Sequence, residues 1–191
     1  MKLPIIKTSR PDDIKEFVTF WKKLYHYPLE SLYNDSINKT QFDINDIQNL
    51  YIWKNGMALS EKKQLSLNNK IISKLEIINS YKSNSNWTVV DFQKNFKDLT
   101  AVWKIFLLHI IKPEFYPIYD QHIHRTYNFI NNIQHANISN TISNAEKEKF
   151  YFDTYLNFIH SKKGIKLKDI DEAFFSFGQF INTNNYQILV L

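Results

Sequence analysis

The sequence predicts an all-α fold, a compact globular domain built of many helices. Three observations predict it. Apolar residues recur at helical spacing almost from end to end. Only three glycines occur in 191 residues, too few for the turns of a β-sandwich or for a glycine-rich phosphate loop. Apolar residues make up 43 % of the chain and aromatic ones 16 %, enough to pack an interior at this length. One domain over residues 1–191 is expected, or two lobes sharing a core with a cleft near residues 99–125.

"RPDDIKEFVTFWKKLYHY" opens with Ser9 as N-cap, Pro11 near the first turn and two acids at the positive end of the dipole. Ile14, Phe17, Val18, Trp21 and Leu24 form its apolar stripe, and Pro28 closes it. "DINDIQNLYIWKNG" predicts a second helix with Ile44, Ile47, Leu50 and Tyr51 on one face and Gly56 as C-cap. "LSEKKQLSLNNKIISKLEIINSYK" predicts a long helix or a bent pair starting at Ser60. "TVVDFQKNFKDL" is a short helix, followed by the strongly apolar "AVWKIFLLHII". Pro113 and Pro117 break the pattern, and a helix runs from Asp120 to about Asn131. "NIQHANISNTISN" is polar and predicts a loop. Asn144 is placed as the cap of "AEKEKFYFDTYLNFIHSKKG", which ends at Gly164. "LKDIDEAFFSFGQFI" carries Ile170, Phe174, Phe177 and Ile181 on one stripe, and "YQILVL" is expected to pack on the body.

The absence of cysteine excludes disulfides, a thiol nucleophile and cysteine-held zinc or iron–sulfur clusters. The opening "MKLPIIKTSRPDD" has no apolar stretch of signal-peptide length, and no segment reaches membrane-spanning length, so a cytoplasmic protein without a membrane partner is expected. Net charge is +5 with a pI near 9.1, a balance that favours acidic partners, nucleic acid first.

One stretch concentrates the chemistry. In "AVWKIFLLHIIKPEFYPIYDQHIHRT" an apolar helix leads through a loop to Pro117-Ile118, then Asp120, with Ile123 and Arg125 behind it. In order and spacing over about thirty residues, Leu99 to Asn128, this resembles the helix-hairpin-helix DNA glycosylase superfamily. There an apolar helix, a loop, a proline and a small apolar stretch precede the catalytic aspartate. The resemblance implies Asp120 as the catalytic carboxylate. Its hairpin turn is glycine-rich, whereas this chain has "FKDLTAV" there, so the phosphate clamp is rebuilt or lost. The nucleophilic lysine of bifunctional members falls near Val102. Lys104 is two residues on, roughly 200° around the helix, and is the nearest lysine for that role. No cofactor is expected, and the resemblance implies a monofunctional or divergent member.

A glycosylase breaks a C1′–N bond through an oxocarbenium-like state, which one carboxylate beside the sugar can stabilise before orienting water. Asp120 suits that task, and it equally suits a helix cap. His122 and His124, two apart, point to nearly opposite sides of a helix and make a poor metal set with Asp120, so no metal is expected. His122, Tyr119 and Arg125 are substrate-binding candidates, with Arg125 contacting phosphate, bracing Asp120 or forming a surface ion pair. Trp53-Lys54 and Trp103-Lys104 each join an aromatic face for a base to a cation for phosphate, although a tryptophan at such a place on an amphipathic helix is more often core packing. His109 reads as a core residue. The lysines at 62, 63, 70 and 74 and at 162, 163, 166 and 168 form two basic runs interleaved with acids, usually a solvated face.

The expected function is therefore excision of a damaged or modified base from DNA, through Asp120, by a monomer that is cytoplasmic and nucleoid-associated when bound. Its partner is duplex DNA with one base flipped out. Two alternatives stay open: a non-catalytic DNA-binding module on the same scaffold, and a helical protein–protein interaction or defence protein.

Overall fold

The computed structural model describes residues 14–84, 86–135, 138 and 142–183. Every regular element among them is helical, and the fold class is all-α. Tyr27–Ile118 form one compact unit; the described residues before and after it form the other. Among the described residues no helix is long and apolar enough to cross a membrane.

The first unit holds α1 (Ile14–Trp21), α8 (Gln121–Ile130), α9 (Asn144–Lys149), α10 (Leu156–His160) and α11 (Leu167–Phe180). Ser9 and Pro11, expected to start α1, lie outside the described residues, as do "YQILVL" and parts of the 131–142 loop. α11 is the central element, packed on both α8 and α1. Ile170, Ala173, Phe174 and Phe177 are buried along it, at the spacing of an amphipathic stripe. Phe17 of α1 meets Phe174 and Phe177 edge-to-face at 5.8 and 5.2 Å. Each buried phenylalanine contributes roughly 1.5–3 kcal/mol through burial, and such ring pairs add about 1 kcal/mol.

α8 approaches α11 so closely that only glycine fits at position 178. A Cβ there would lie 2.0 Å from the His122 carbonyl oxygen. Thr126 donates its hydroxyl to the Phe174 carbonyl at 2.6 Å one turn further along. Between α9 and α10, Phe150–Tyr155 form a π-helical turn, so Asn144 to His160 run as one helix with a widened middle. Its N-cap is Ser143, not Asn144: Ser143 and Glu146 form a reciprocal capping box. The helix stops at His160, four residues before Gly164, which takes a left-handed φ of 79°.

The second unit holds α2 (Glu30–Ile37), α3 (Ile44–Asn55), α4 (Glu61–Lys70), α5 (Leu75–Ser83), α6 (Val89–Asn95) and α7 (Ala101–Ile111). α3 starts at an Asp43–Asp46 capping box and ends at Gly56, φ 77°. The long lysine-rich segment is a bent pair: a 3-10 stretch, Ile72–Lys74, separates α4 from α5. Ser73 turns its hydroxyl back to the Asn69 carbonyl there, a contact that bends helices. α6 opens with a Thr88–Asp91 capping box, and residues 96–100 turn the chain into α7. α7 is buried almost all round. α2 packs on α3, and α5 on α7.

The Gly178 contact is testable. Gly178→Ala must push α8 off α11, an overpacking cost of about 3 kcal/mol or more. Urea denaturation of the variant should show that loss, and an unchanged midpoint would mean that the helices part freely.

Candidate active site

Asp120 sits where the sequence places it, at the N-cap of α8. Pro117 fixes its own φ and biases the preceding Tyr116 towards extended backbone, and Asp120 itself is extended, φ −145° and ψ 157°. Its carbonyl starts the helix by accepting from the His124 N–H at 3.0 Å. Its Oδ1 accepts from the His122 N–H at 2.9 Å. The carboxylate is thus half-buried at the positive end of a ten-residue helix.

The wall behind it is built by the next turn. Arg125 is 4 % exposed. Its Nη1 donates to His122 Nδ1 at 2.8 Å and to the Gly178 carbonyl at 3.2 Å, and its Nη2 to the Ile138 carbonyl at 2.6 Å. Burial lowers its pKa, and the Asp120 charge opposes that fall. Arg125 therefore ties α8, α11 and Ile138 together from inside the unit rather than forming a surface ion pair. Because arginine only donates, His122 must accept at Nδ1 and carry its proton on Nε2. The His122 ring stands edge-on to Phe175 at 5.3 Å.

Tyr119 is 1 % exposed and meets His124 Nδ1 through its hydroxyl at 3.1 Å. Burial first, and then the Asp120 charge, push the Tyr119 hydroxyl well above its ordinary range. His124 stacks on Phe150 of the π turn at 3.6 Å. Burial, helped by the Arg125 charge, lowers its pKa from 6.5 to about 4. Both rings are therefore uncharged near neutrality.

The remaining candidates lie in the other unit. Trp53 is 5 % exposed; its ring packs on Tyr27, Tyr33 and Phe106, and its Nε1 donates to Glu30 at 3.0 Å. It belongs to the interior of that unit. Lys54 is half-buried in the last turn of α3. Trp103 is half-buried and edge-on to Tyr51 at 5.0 Å, while its carbonyl accepts the Tyr51 hydroxyl. Lys104 is buried on α7, 7 % exposed. Asp120 and Lys104, the two catalytic candidates, thus fall in different units. His109 is a core residue as expected: its Nδ1 donates to the Tyr116 carbonyl at 2.6 Å, leaving Nε2 to accept from Tyr33 at 2.8 Å.

The hairpin between α6 and α7 is braced by lysines instead of glycines. Lys70 donates to the Asp98 carbonyl at 3.0 Å and Lys74 to the Asn95 carbonyl. Thr100 takes the N-cap position of α7 without a side-chain cap bond. Among the described residues, no group of three or more His, Asp or Glu side chains converges to hold a metal ion. Compared with known protein families, with curated proteins and with solved structures, the chain finds no match.

Sequence reasoning missed three contributors to the Asp120 site: Phe150, the Ile138 carbonyl and Gly178. Gly178 alone carried a signal, because a glycine inside a strong helical stripe marks a close backbone approach.

The buried His124 has a stability consequence. Its folded pKa lies below its unfolded value, so the unfolded chain binds more protons between pH 4 and 6.5. Its contribution is complete above 6.5 and is lost as pH falls towards 4. Urea denaturation across that window should show a shallower pH slope for His124→Gln than for the native chain. Identical slopes would show that His124 is not the group responsible.

Proposed function

We propose that this chain is a monofunctional DNA glycosylase-like protein. It binds duplex DNA as a monomer, flips one base out of the stack and uses Asp120 to promote loss of that base. The observation that supports the reading is the Asp120 carboxylate at the positive end of α8, directly after Pro117-Ile118, with Ile123 and Arg125 buried behind it. A carboxylate so held meets the demand of an oxocarbenium-like state, a fixed negative charge that need not reorganise as the C1′–N bond breaks. Water oriented by the same group completes the displacement at C1′. The uncharged Tyr119 and His124 leave Asp120 as the local anion of that turn. The excess of five positive charges draws the protein towards DNA.

A second reading, a DNA-binding module without catalysis, is favoured by the hairpin. It lacks glycine, and Lys70 and Lys74 close on its carbonyls. Such a module would bind DNA with a strong salt dependence, about 0.9 in log–log slope for each phosphate contacted, and release no base.

Asp120→Asn separates cap from catalyst. Asparagine caps a helix about as well as aspartate, within a few tenths of a kcal/mol, so the fold should stand. Duplexes carrying a panel of damaged and modified bases, treated with alkali after incubation, should break only with the native protein. Excision retained by the folded variant would overturn the role of Asp120. No product with salt-sensitive binding intact would establish the second reading.

A further inference from the structure

Within the second unit, the C-terminal ends of α2, α5 and α7 converge on an open groove of about 490 Å³. Lys39, Lys82, Lys112 and Glu114 supply its charged lining, with Asn38 and Thr40 beside them. Helix C-termini present unpaired carbonyls, and two of the lysines answer them. Lys82 donates to the Ile37 carbonyl at 3.2 Å and the Ile110 carbonyl at 3.0 Å, with its ammonium 4.3 Å from the centre of the Phe42 ring. Lys112 donates to the Lys82 carbonyl at 3.1 Å. Lys39 is paired with Asp46.

Lys82 differs from an ordinary capping lysine in two ways. It is half-buried against an aromatic ring while lining the groove. Its two carbonyl acceptors also match the two hydrogens of a neutral amine, so loss of a proton breaks neither bond and frees the nitrogen lone pair.

We propose that this groove binds small anionic aldehydes and that Lys82 condenses with them, Lys112 drawing in the acid group. The balance is that of imine formation. The amine nitrogen bonds to the carbonyl carbon, the C–O bond breaks, and the two amine hydrogens leave with that oxygen as water. No oxidant, metal or further reactant is required. Burial supports the chemistry by lowering the Lys82 ammonium to about 8; the Glu114 charge opposes the fall and the Lys112 charge adds to it. A neutral amine is the nucleophilic form of lysine. The proposal does not depend on Asp120 or on DNA.

The test uses the full chain with glyoxylate as the anionic probe, glycolaldehyde as its uncharged counterpart, and cyanoborohydride to trap the imine. Peptide mapping reads the adduct. Lys82 should be labelled on the order of tenfold to a hundredfold faster than the exposed lysines, as its larger neutral fraction requires. Lys82→Arg keeps a charged donor for both carbonyls but cannot deprotonate, and should lose that adduct while staying folded. Glyoxylate should outpace glycolaldehyde, and Lys112→Gln should narrow the gap between them. Labelling spread over the lysines in proportion to exposure would overturn the proposal. Equal rates for the two aldehydes would overturn the anion-holding role.

Discussion

The near-contact of α8 with α11 is the constraint on which the first unit depends. Backbone meets backbone where Gly178 lies under His122, and that separation sets everything along the seam. It brings the Thr126 hydroxyl to the Phe174 carbonyl and lets Phe129 meet Phe177 edge-to-face at 5.2 Å. It also puts the Gly178 carbonyl within reach of Arg125, whose other nitrogen holds the Ile138 carbonyl. Asp120 inherits its place from this seam, because a cap can only be where its helix begins. A methyl group at 178 would therefore be felt at a carboxylate it never touches.

Lysines close the ends of helices throughout the second unit. Lys74, Lys82 and Lys112 donate to carbonyls in the last turns of helices, groups that a helix leaves unpaired, and Lys70 donates to the Asp98 carbonyl in the turn after α6. The formal charge of +5 thus overstates what this surface offers a polyanion, since some of its cations are already engaged. A basic composition is compatible with nucleic-acid binding, but here part of it has a structural purpose. Lys82 shows both sides: capping two helices costs it solvent, and that loss shifts its protonation.

The fold was legible wherever local chemistry was strong. α3 ends at Gly56, α7 spans the apolar run that predicts it, and α8 begins behind Asp120. α2 was not read from the sequence: "ESLYNDSI" is short and polar, and only Tyr33, Ser36 and Ile37 are buried, against α3. Tertiary packing, not propensity, makes it a helix. The cap at Ser143 was misplaced by one because Ser and Asn are equal caps, and the reciprocal bond with Glu146 decides between them. Site residues were legible as types and not as environments. Trp53 and Arg125 have the chemistry to bind DNA, yet their burial follows from neighbours distant in sequence, which no local pattern reveals. The division of the candidates between two units was beyond local reading for the same reason.

The π turn at Phe150–Tyr155 acts as a register shift within a single helix. An ordinary α-helix keeps one stripe facing the core; this one changes stripes midway, so that Phe150 meets His124 while Tyr155 and Ile159 remain buried beyond it. The constraint falls on residue count more than on residue identity. Removing one residue, such as the exposed Asp153, would restore regular pitch and rotate everything upstream by about 100° relative to everything downstream. Side chains in this stretch can then vary within their sizes, while its length is fixed by the two faces that it joins.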